Sequence, residues 1–136
     1  MLTQALRRCA VVAAALAAVL GFSTVPAQSA DVGLLAWECP SGNVCFWSGS
    51  NGTGSRCIWN GDDPDWRSGS AICSWSATSP VRSVFNNGRD PAFSGVAYYL
   101  NTNYGSRVGC TPQGARGNLT GTYSPRSHQW VKGSCG

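Results

Sequence analysis

The sequence predicts an all-β domain that is held together by disulfide bonds. Beyond residue 30, no stretch shows a helical period, and short runs of β-branched and aromatic residues alternate with segments rich in Gly, Ser, Asn and Pro. One pattern of residues occurs twice in the same order, and six cysteines are available for cross-links. Many short strands with Gly-rich connections indicate a sandwich or a barrel.

The first 30 residues have the pattern of a secretory signal peptide. Arg7 and Arg8 supply the positive charge, and an uninterrupted apolar run follows from Ala10 to Phe22. Small residues then favour cleavage after Ala27 or after Ala30. The apolar run is shorter than the roughly 20 residues that span a bilayer, and no later stretch is a candidate. We therefore expect a secreted protein whose mature form has no membrane anchor.

The mature chain, residues 31–136, is predicted to be a single domain with six strands and polar turns between them. The predicted strands are Val44–Ser48, Arg56–Trp59, Arg82–Asn86, Val96–Leu100, Arg107–Cys110 and Ser127–Lys132. Residues 62–66 and 86–91 are predicted turns, because Asp and Asn close local hydrogen bonds and Pro stops strand pairing.

Two halves of the mature chain repeat one pattern. Phe46–Gly54 corresponds to Tyr98–Gly105 at a shift of 52 residues, and each segment is followed by Ser-Arg and then by a cysteine. A second repeated pattern relates Ser79–Ser83 to Ser124–Ser127. Matched features in one order favour two copies of a supersecondary unit and suit a pair of Greek keys, at about residues 39–90 and 91–136. The alternative is that a chain rich in Gly and Ser repeats itself by composition.

The cysteines predict a disulfide framework. Cys9 belongs to the signal peptide, and an even number of six remains, which favours disulfides in a short exported chain. A zinc site would need paired Cys-x-x-Cys or Cys/His spacing, and the sequence has none. Six cysteines allow 15 pairings. The pairs that we predict are Cys39–Cys45, which proximity favours, with Cys57–Cys73 and Cys110–Cys135.

Charge and motif content argue against nucleic acid as a partner and against catalysis. Eight basic residues face six acidic ones after residue 30, a net charge of +2, and the basic residues are scattered singly. His128 is the only histidine and lies in a strand-like run, where a structural role is favoured. Two carboxylates could hydrolyse a glycoside, but the acids of residues 62–65 indicate a solvated loop. We expect neither an enzyme nor a cofactor.

The run Phe46–Gly54 resembles the aromatic-x-x-x-x-Asn-x-x-Gly signature of βγ-crystallin Greek keys, in which the last glycine permits a positive φ. Tyr98–Gly105 resembles a second copy that is one residue shorter. With the Cys-Pro-Ser-Gly-Asn-Val-Cys segment of residues 39–45 ahead of it, the chain resembles the secreted metalloproteinase inhibitors of streptomycetes, which have a βγ-crystallin-like fold. The resemblance implies a sandwich of two Greek keys, an extracellular peptidase as partner, and inhibition of metalloendopeptidases.

The resemblance also implies where the inhibitor contacts its target. In this family a disulfide-braced loop after the aromatic–Gly segment of the second key enters the protease cleft, and the matching segment here is Val108–Gln113. Cys110–Thr111 is then the candidate reactive bond, with Pro112 next to it. Thr111 is small, whereas thermolysin-like enzymes prefer a bulky apolar residue after the scissile bond. The alternative is that Cys110 only staples the sheet and that Thr111 and Pro112 form a turn.

The chain departs from the calcium-binding members of the βγ-crystallin family. Arg82 and Arg126 stand where a ligand hydroxyl would lie in Ser79–Ser83 and in Tyr123–Ser127. Calcium needs six to eight oxygen ligands, and a guanidinium opposes a divalent cation. We expect no metal site, or a very weak calcium site.

A second hypothesis is a binding module, or a killer-toxin-like protein, that acts on cell-wall polysaccharide. Trp37, Trp59, Trp66 and Trp75 lie in polar, turn-rich surroundings, as in an exposed sugar-binding face. The alternative is that these side chains are buried against the cystines as core. In either case we expect a monomer.

Overall fold

The computed structural model describes residues 36–136, which form seven β-strands and two short 3-10 helices. The predicted signal peptide lies outside the described residues. Within them, no helix has both the length and the apolar character needed to cross a membrane.

The strands lie in two antiparallel sheets. Their bounds are β1 Val44–Trp47, β2 Arg56–Trp59, β3 Val81–Asn86, β4 Gly95–Tyr99, β5 Arg107–Pro112, β6 Arg116–Tyr123 and β7 Ser127–Val131. The first sheet has the order β2-β1-β3-β6, and the second has the order β5-β4-β7. The 3-10 helices cover Ser50–Gly52 and Ser74–Ala77.

The two sheets exchange strands, as interlocked Greek keys do. In the first sheet β1 lies between β2 and β3, and in the second β4 lies in the same way between β5 and β7. β6 comes from the second half of the chain but pairs with β3 of the first. The reciprocal contact is a single bridge between Asp63 and His128 of β7. This arrangement confirms the predicted fold class. We propose that residues 31–136 form one domain whose keys meet near residue 90, between β3 and β4.

The six predicted strands are present, with ends that differ by at most two residues. The sequence reading missed β6, the longest strand, at Arg116–Tyr123. Its residues alternate between exposed and half-buried, but they include Gly117, Asn118 and Gly121, which have low β-propensity. β6 depends on pairing with β3 more than on its own composition.

A serine from β3 closes the first key's hairpin. The Ser83 hydroxyl donates to the carbonyl oxygen of Gly49 at 2.7 Å and accepts from the backbone N–H of Gly52 at 2.9 Å. Ser83 is fully buried, so both groups are satisfied away from water.

The second key repeats this contact with a serine from β7. The Ser127 hydroxyl donates to the carbonyl of Asn101 at 2.6 Å and accepts from the N–H of Tyr104 at 3.1 Å. Asn101 and Tyr104 each lie 52 residues after their counterparts in the first hairpin. The repeat is therefore structural and does not merely reflect composition.

The two hairpins differ at one residue. Gly54 has φ +83°, as the signature predicts, but at the corresponding position of the second hairpin the residue with positive φ is Ser106, with φ +58°. The expectation that Gly105 fills this role was wrong. The second loop is one residue shorter, and a bulge at Val108 restores the register, since Tyr98 pairs with Gly109 and Tyr99 with Arg107.

The main hydrophobic core lies between the sheets. Its buried members are Val44, Phe46, Trp59, Trp66, Cys73, Val81, Val84, Val96 and Tyr98. A second cluster, the outer cluster, contains Cys39, Cys45 and Trp47, with Trp37 and Phe85 packed against it. β1 contributes to both clusters and is buried along its whole length, which explains why Val-Cys-Phe-Trp shows no polar alternation.

Three disulfides connect the described cysteines. They join Cys39 to Cys45, Cys57 to Cys73 and Cys110 to Cys135, with Cα–Cα distances of 5.8, 5.7 and 5.2 Å. These are the pairs that we predict from the sequence. Each such bond typically stabilises a small domain by about 2–4 kcal/mol.

Replacing Ser83 with Ala tests whether its hydroxyl stabilises the hairpin of the first key. The variant leaves the buried N–H of Gly52 without its acceptor, so we expect the free energy of unfolding to fall by about 2 kcal/mol. Urea denaturation measures this change, and Ser124→Ala, at an exposed site, is the matched control. Equal stabilities of the two variants would contradict the role of Ser83.

Candidate functional site

The segment that the resemblance identifies as inhibitory is part of a strand. Cys110, Thr111 and Pro112 lie in β5, where Thr111 pairs with Val96 of β4. Thr111 is 7% exposed, and its carbonyl accepts a hydrogen bond from Asn86 Nδ2 at 3.0 Å. The prediction of a disulfide-braced loop here was wrong. Of the alternative, Cys110 does staple the sheet through its disulfide to Cys135, but Thr111 and Pro112 continue the strand and do not form a turn. A side chain buried between the sheets cannot enter a peptidase pocket while the fold is intact.

The acidic turn is also built into the fold. Asp63 is buried, and its carboxylate accepts from Trp59 Nε1 at 2.7 Å and from the N–H of Asp65 at 2.9 Å. Asp65 forms an ion pair with Arg126 at 2.8 Å. The hydrogen bond from Arg126, followed by one from the backbone N–H of Arg67, lowers the pKa of Asp65. The interpretation of this turn as a solvated loop was therefore wrong for Asp63 and Asp65, whereas Asp62 is exposed.

His128 has the structural role that its sequence context favours. Trp66 Nε1 donates to His128 Nδ1 at 2.8 Å, so Nε2 carries the proton and donates to the carbonyl of Gly61 at 2.8 Å. The side chain is fully buried, and this desolvation lowers the His128 pKa to about 4. Both ring nitrogens are engaged, so neither is available to take a proton from a substrate.

The four tryptophans proposed as a binding face do not form one. Trp59 and Trp66 stack in the main core with ring centroids 4.7 Å apart, and Trp66 is completely buried. Trp37 packs edge-on against Trp47 in the outer cluster. Trp75 is half-buried against the main core. The core interpretation is right for Trp59 and Trp66, and the prediction of a shared aromatic face was wrong.

A six-residue loop between two buried residues is the most prominent exposed segment of this half of the molecule. Every residue of the Arg67–Ile72 loop is exposed, whereas Trp66 before it and Cys73 after it are completely buried. The N–H of Cys73 donates to the carbonyl of Trp66 at 2.7 Å and closes the base of the loop. The disulfide to Cys57 then holds this base against β2.

The same place carries most of the exposed aliphatic surface. Among residues 36–136, the exposed large hydrophobic side chains are Ile58 (36%), Ile72 (60%) and Leu100 (40%). Ile58 and Ile72 each adjoin one cysteine of the Cys57–Cys73 disulfide, and both line a surface pocket of about 320 Å³. Sequence reasoning missed this segment because Ser-Gly-Ser-Ala resembles a linker. The signal that could have identified it was a single isoleucine beside a cysteine.

A larger cleft lies at one end of the sandwich. Its volume is about 370 Å³, and its side chains include Asn60, Asp62, Arg89, Asp90, Phe93 and Trp130. The Phe93 and Trp130 rings lie 6.1 Å apart, and Asp62 accepts from the backbone N–H of Trp130 at 2.7 Å. The cleft therefore combines an aromatic surface with amide, carboxylate and guanidinium groups.

The groups that would have to bind calcium are occupied within the fold. The hydroxyls of Ser83 and Ser127 bind the two hairpins, and Arg126 pairs with Asp65. Residues 36–136 contain no group of three or more His, Cys, Asp and Glu side chains that could hold a metal ion. The expectation of no metal site stays a prediction.

Comparisons with known proteins agree with this architecture. Residues 35–111 match the model of peptidase inhibitor family I36. A solved structure described as "Evolution of the eye lens beta-gamma-crystallin domain fold" superposes with a TM-score of 0.51 at 17% sequence identity, over 71% of this chain and 93% of that one. At this identity the likeness shows the fold alone, and it confirms the βγ-crystallin-like sandwich. No curated protein matches the chain.

The burial of neutral His128 makes stability depend on pH. Its pKa is about 4 in the folded protein and about 6.5 in the unfolded chain, so only the unfolded chain takes up the proton between these values. The stability that comes from keeping His128 neutral is fully present above pH 6.5. As the pH falls towards 4, the free energy of unfolding decreases by roughly 3 kcal/mol in total.

Urea denaturation between pH 4.5 and 8 measures this dependence. His128→Gln, which cannot titrate, should be less stable at pH 8 and should lose less stability on acidification than the natural protein. Parallel curves for the two proteins would contradict the assignment to His128.

Proposed function

Because this chain belongs to the peptidase inhibitor family I36, we propose that it inhibits metalloendopeptidases outside the cell. Family membership makes it a peptidase inhibitor and not an enzyme, which confirms these two predictions at that level. The assignment to metalloendopeptidases is more specific than family membership, and it rests on the resemblance to metalloproteinase inhibitors. The single observation that carries the function is the family match over residues 35–111, which contain the first key and most of the second key's first two strands.

The described residues support an extracellular location. All six cysteines among residues 36–136 are paired, and disulfides persist where the surroundings are oxidising. This pairing agrees with the predicted signal peptide. We further propose a monomer, because only three large hydrophobic side chains are exposed in the described part of the chain, whereas stable dimers bury extensive apolar surface.

Rigidity is the physical property that suits this domain to inhibition. A bound segment must be ordered, and a segment that is already fixed in the free protein loses little conformational entropy on binding. Here the main core, the outer cluster and three disulfides fix the backbone on both faces of β1. A peptidase would therefore bind an ordered surface that does not relax as a flexible substrate does.

We place the inhibitory contact away from Cys110–Thr111. Thr111 faces the core, and Cys110 connects β5 to Cys135 near the end of the chain. Cleavage at this bond would require β5 to leave β4, its neighbour in the sheet. We therefore do not propose that Cys110 and Thr111 bind a peptidase in the way that the family resemblance implies.

A second candidate function, polysaccharide binding, is favoured by the cleft at Phe93 and Trp130. Binding sites for small ligands combine apolar and aromatic walls with a few polar groups that fix orientation. Asn60, Asp62 and Arg89 offer such groups beside the two rings. This cleft replaces the four-tryptophan face as the place where a saccharide would bind.

Inhibition is tested with the oxidised mature protein and a thermolysin-type endopeptidase. We expect stoichiometric inhibition, and we expect Thr111→Val to inhibit with unchanged affinity because it keeps the shape of a side chain that faces the core. Measurement of residual activity against increasing inhibitor gives both values. Absence of inhibition of metallo-, serine and cysteine peptidases alike would contradict the proposed function.

Saccharide binding is tested by calorimetry with soluble chitin and glucan fragments. If the cleft binds them, Trp130→Ala should abolish binding, and Trp75→Phe, outside the cleft, should retain it. No heat of binding from the natural protein would contradict this second function and leave the first unaffected.

A further inference from the structure

We infer that the Arg67–Ile72 loop is the segment that enters the cleft of the target peptidase, with Ile72 in an apolar side-chain pocket of the enzyme. The inference rests on the proposed function, since it assigns the contact surface of the inhibitor. Nothing in the resemblance points to this loop, which lies in the first key, while the family's inhibitory segment follows the second key's aromatic strand.

The base of the loop is fixed from several directions. Trp66 donates to His128 through its indole and to the carbonyl of Arg126 through its backbone N–H at 2.8 Å. Asp65, just before it, pairs with Arg126 and accepts from the N–H of Arg67 at 3.1 Å. On the other side, the buried Cys73 is covalently joined to β2. The loop therefore leaves and re-enters a rigid part of the fold.

The outer part of the loop is free to pair with another chain. Ser70, Ala71 and Ile72 take part in none of the hydrogen bonds found among residues 36–136. Gly69, at the tip, has φ +86° and open space around the position of a Cβ atom. Chains bound along the edge of another protein gain their main-chain hydrogen bonds from such unpaired groups. This segment offers them next to a fixed base.

Ile72 is the side chain that gives the contact its apolar anchor. It is the most exposed large hydrophobic side chain of the described residues, at 60%. Ile58 on β2 lies across the Cys57–Cys73 disulfide and lines the same pocket, so it extends the apolar surface beside the loop. Interfaces depend mostly on a few anchors of this kind, which become fully desolvated in the partner's pocket.

The loop favours a peptidase with an apolar pocket over one that needs a basic residue. Arg67 is the loop's only cation, and its guanidinium lies 3.4 Å from the carbonyl of Ser76, against the protein's own surface. Ile72, by contrast, projects where the backbone is unpaired.

The test compares two exposed aliphatic side chains. Ile72→Asp should weaken inhibition of a thermolysin-type endopeptidase by about 30-fold or more, the loss typical of a central anchor residue. Ile72→Leu should inhibit like the natural protein. Leu100→Asp is the matched control, because Leu100 is 40% exposed but lies on the hairpin of the second key. It should change the inhibition constant by no more than about 2-fold. Thermal unfolding of each variant verifies that the fold is retained.

The outcomes separate this inference from the function on which it depends. If the natural protein inhibits and Ile72→Asp inhibits equally well, the loop assignment is overturned and the inhibitor function stands. If inhibition is directed at a trypsin-type enzyme and is lost on Arg67→Ala, the protein is still a peptidase inhibitor, but both the metalloendopeptidase class and the Ile72 anchor are overturned. If the natural protein inhibits no peptidase, both are overturned.

Discussion

The hydrogen bond between the indole of Trp66 and His128 Nδ1 is the contact on which the rest of this fold depends. It joins residues that are 62 positions apart, one from each key, inside the main core. Phe46 packs against both rings, and Trp59 stacks on Trp66. An unpaired polar group would be costly in this core, so the hydrogen bond keeps His128 in its neutral form. The same bond fixes the position of the acidic turn that leads into Trp66.

This junction links stability to the surface that we propose for binding. Trp66 is a core residue, and the residue after it is already exposed, so the Arg67–Ile72 loop begins directly at the most buried part of the molecule. At the other end of the loop, Cys73 is likewise completely buried, and the residue before it is exposed. A loop with such short connections to the core can be exposed and yet ordered, which is what a competitive peptidase inhibitor needs.

The position of the disulfides distinguishes this chain from the pattern that its resemblance implies. Cys110 is bonded to Cys135 and so fixes the edge strand β5 to the segment that follows β7. Cys57–Cys73 instead braces an exposed loop in the first key. The same sandwich can thus present a different segment, because binding sites depend on loops and cross-links more than on the shared sheet architecture.

The sequence by itself determined the elements and their local connections. Six of the seven strands, the repeat and the Cys39–Cys45 pair follow from runs of β-branched and aromatic residues, turn residues and the short separation of these two cysteines. It also indicated the structural role of His128. Only the tertiary structure decided what is inside: the burial of Thr111, the core position of Trp59 and Trp66, and the pairing of β6. The tertiary structure also brought Asp65 into an ion pair with Arg126, which lies 61 residues away. The candidate site changed for the same physical reason, because exposure depends on contacts between distant segments, which local composition does not specify.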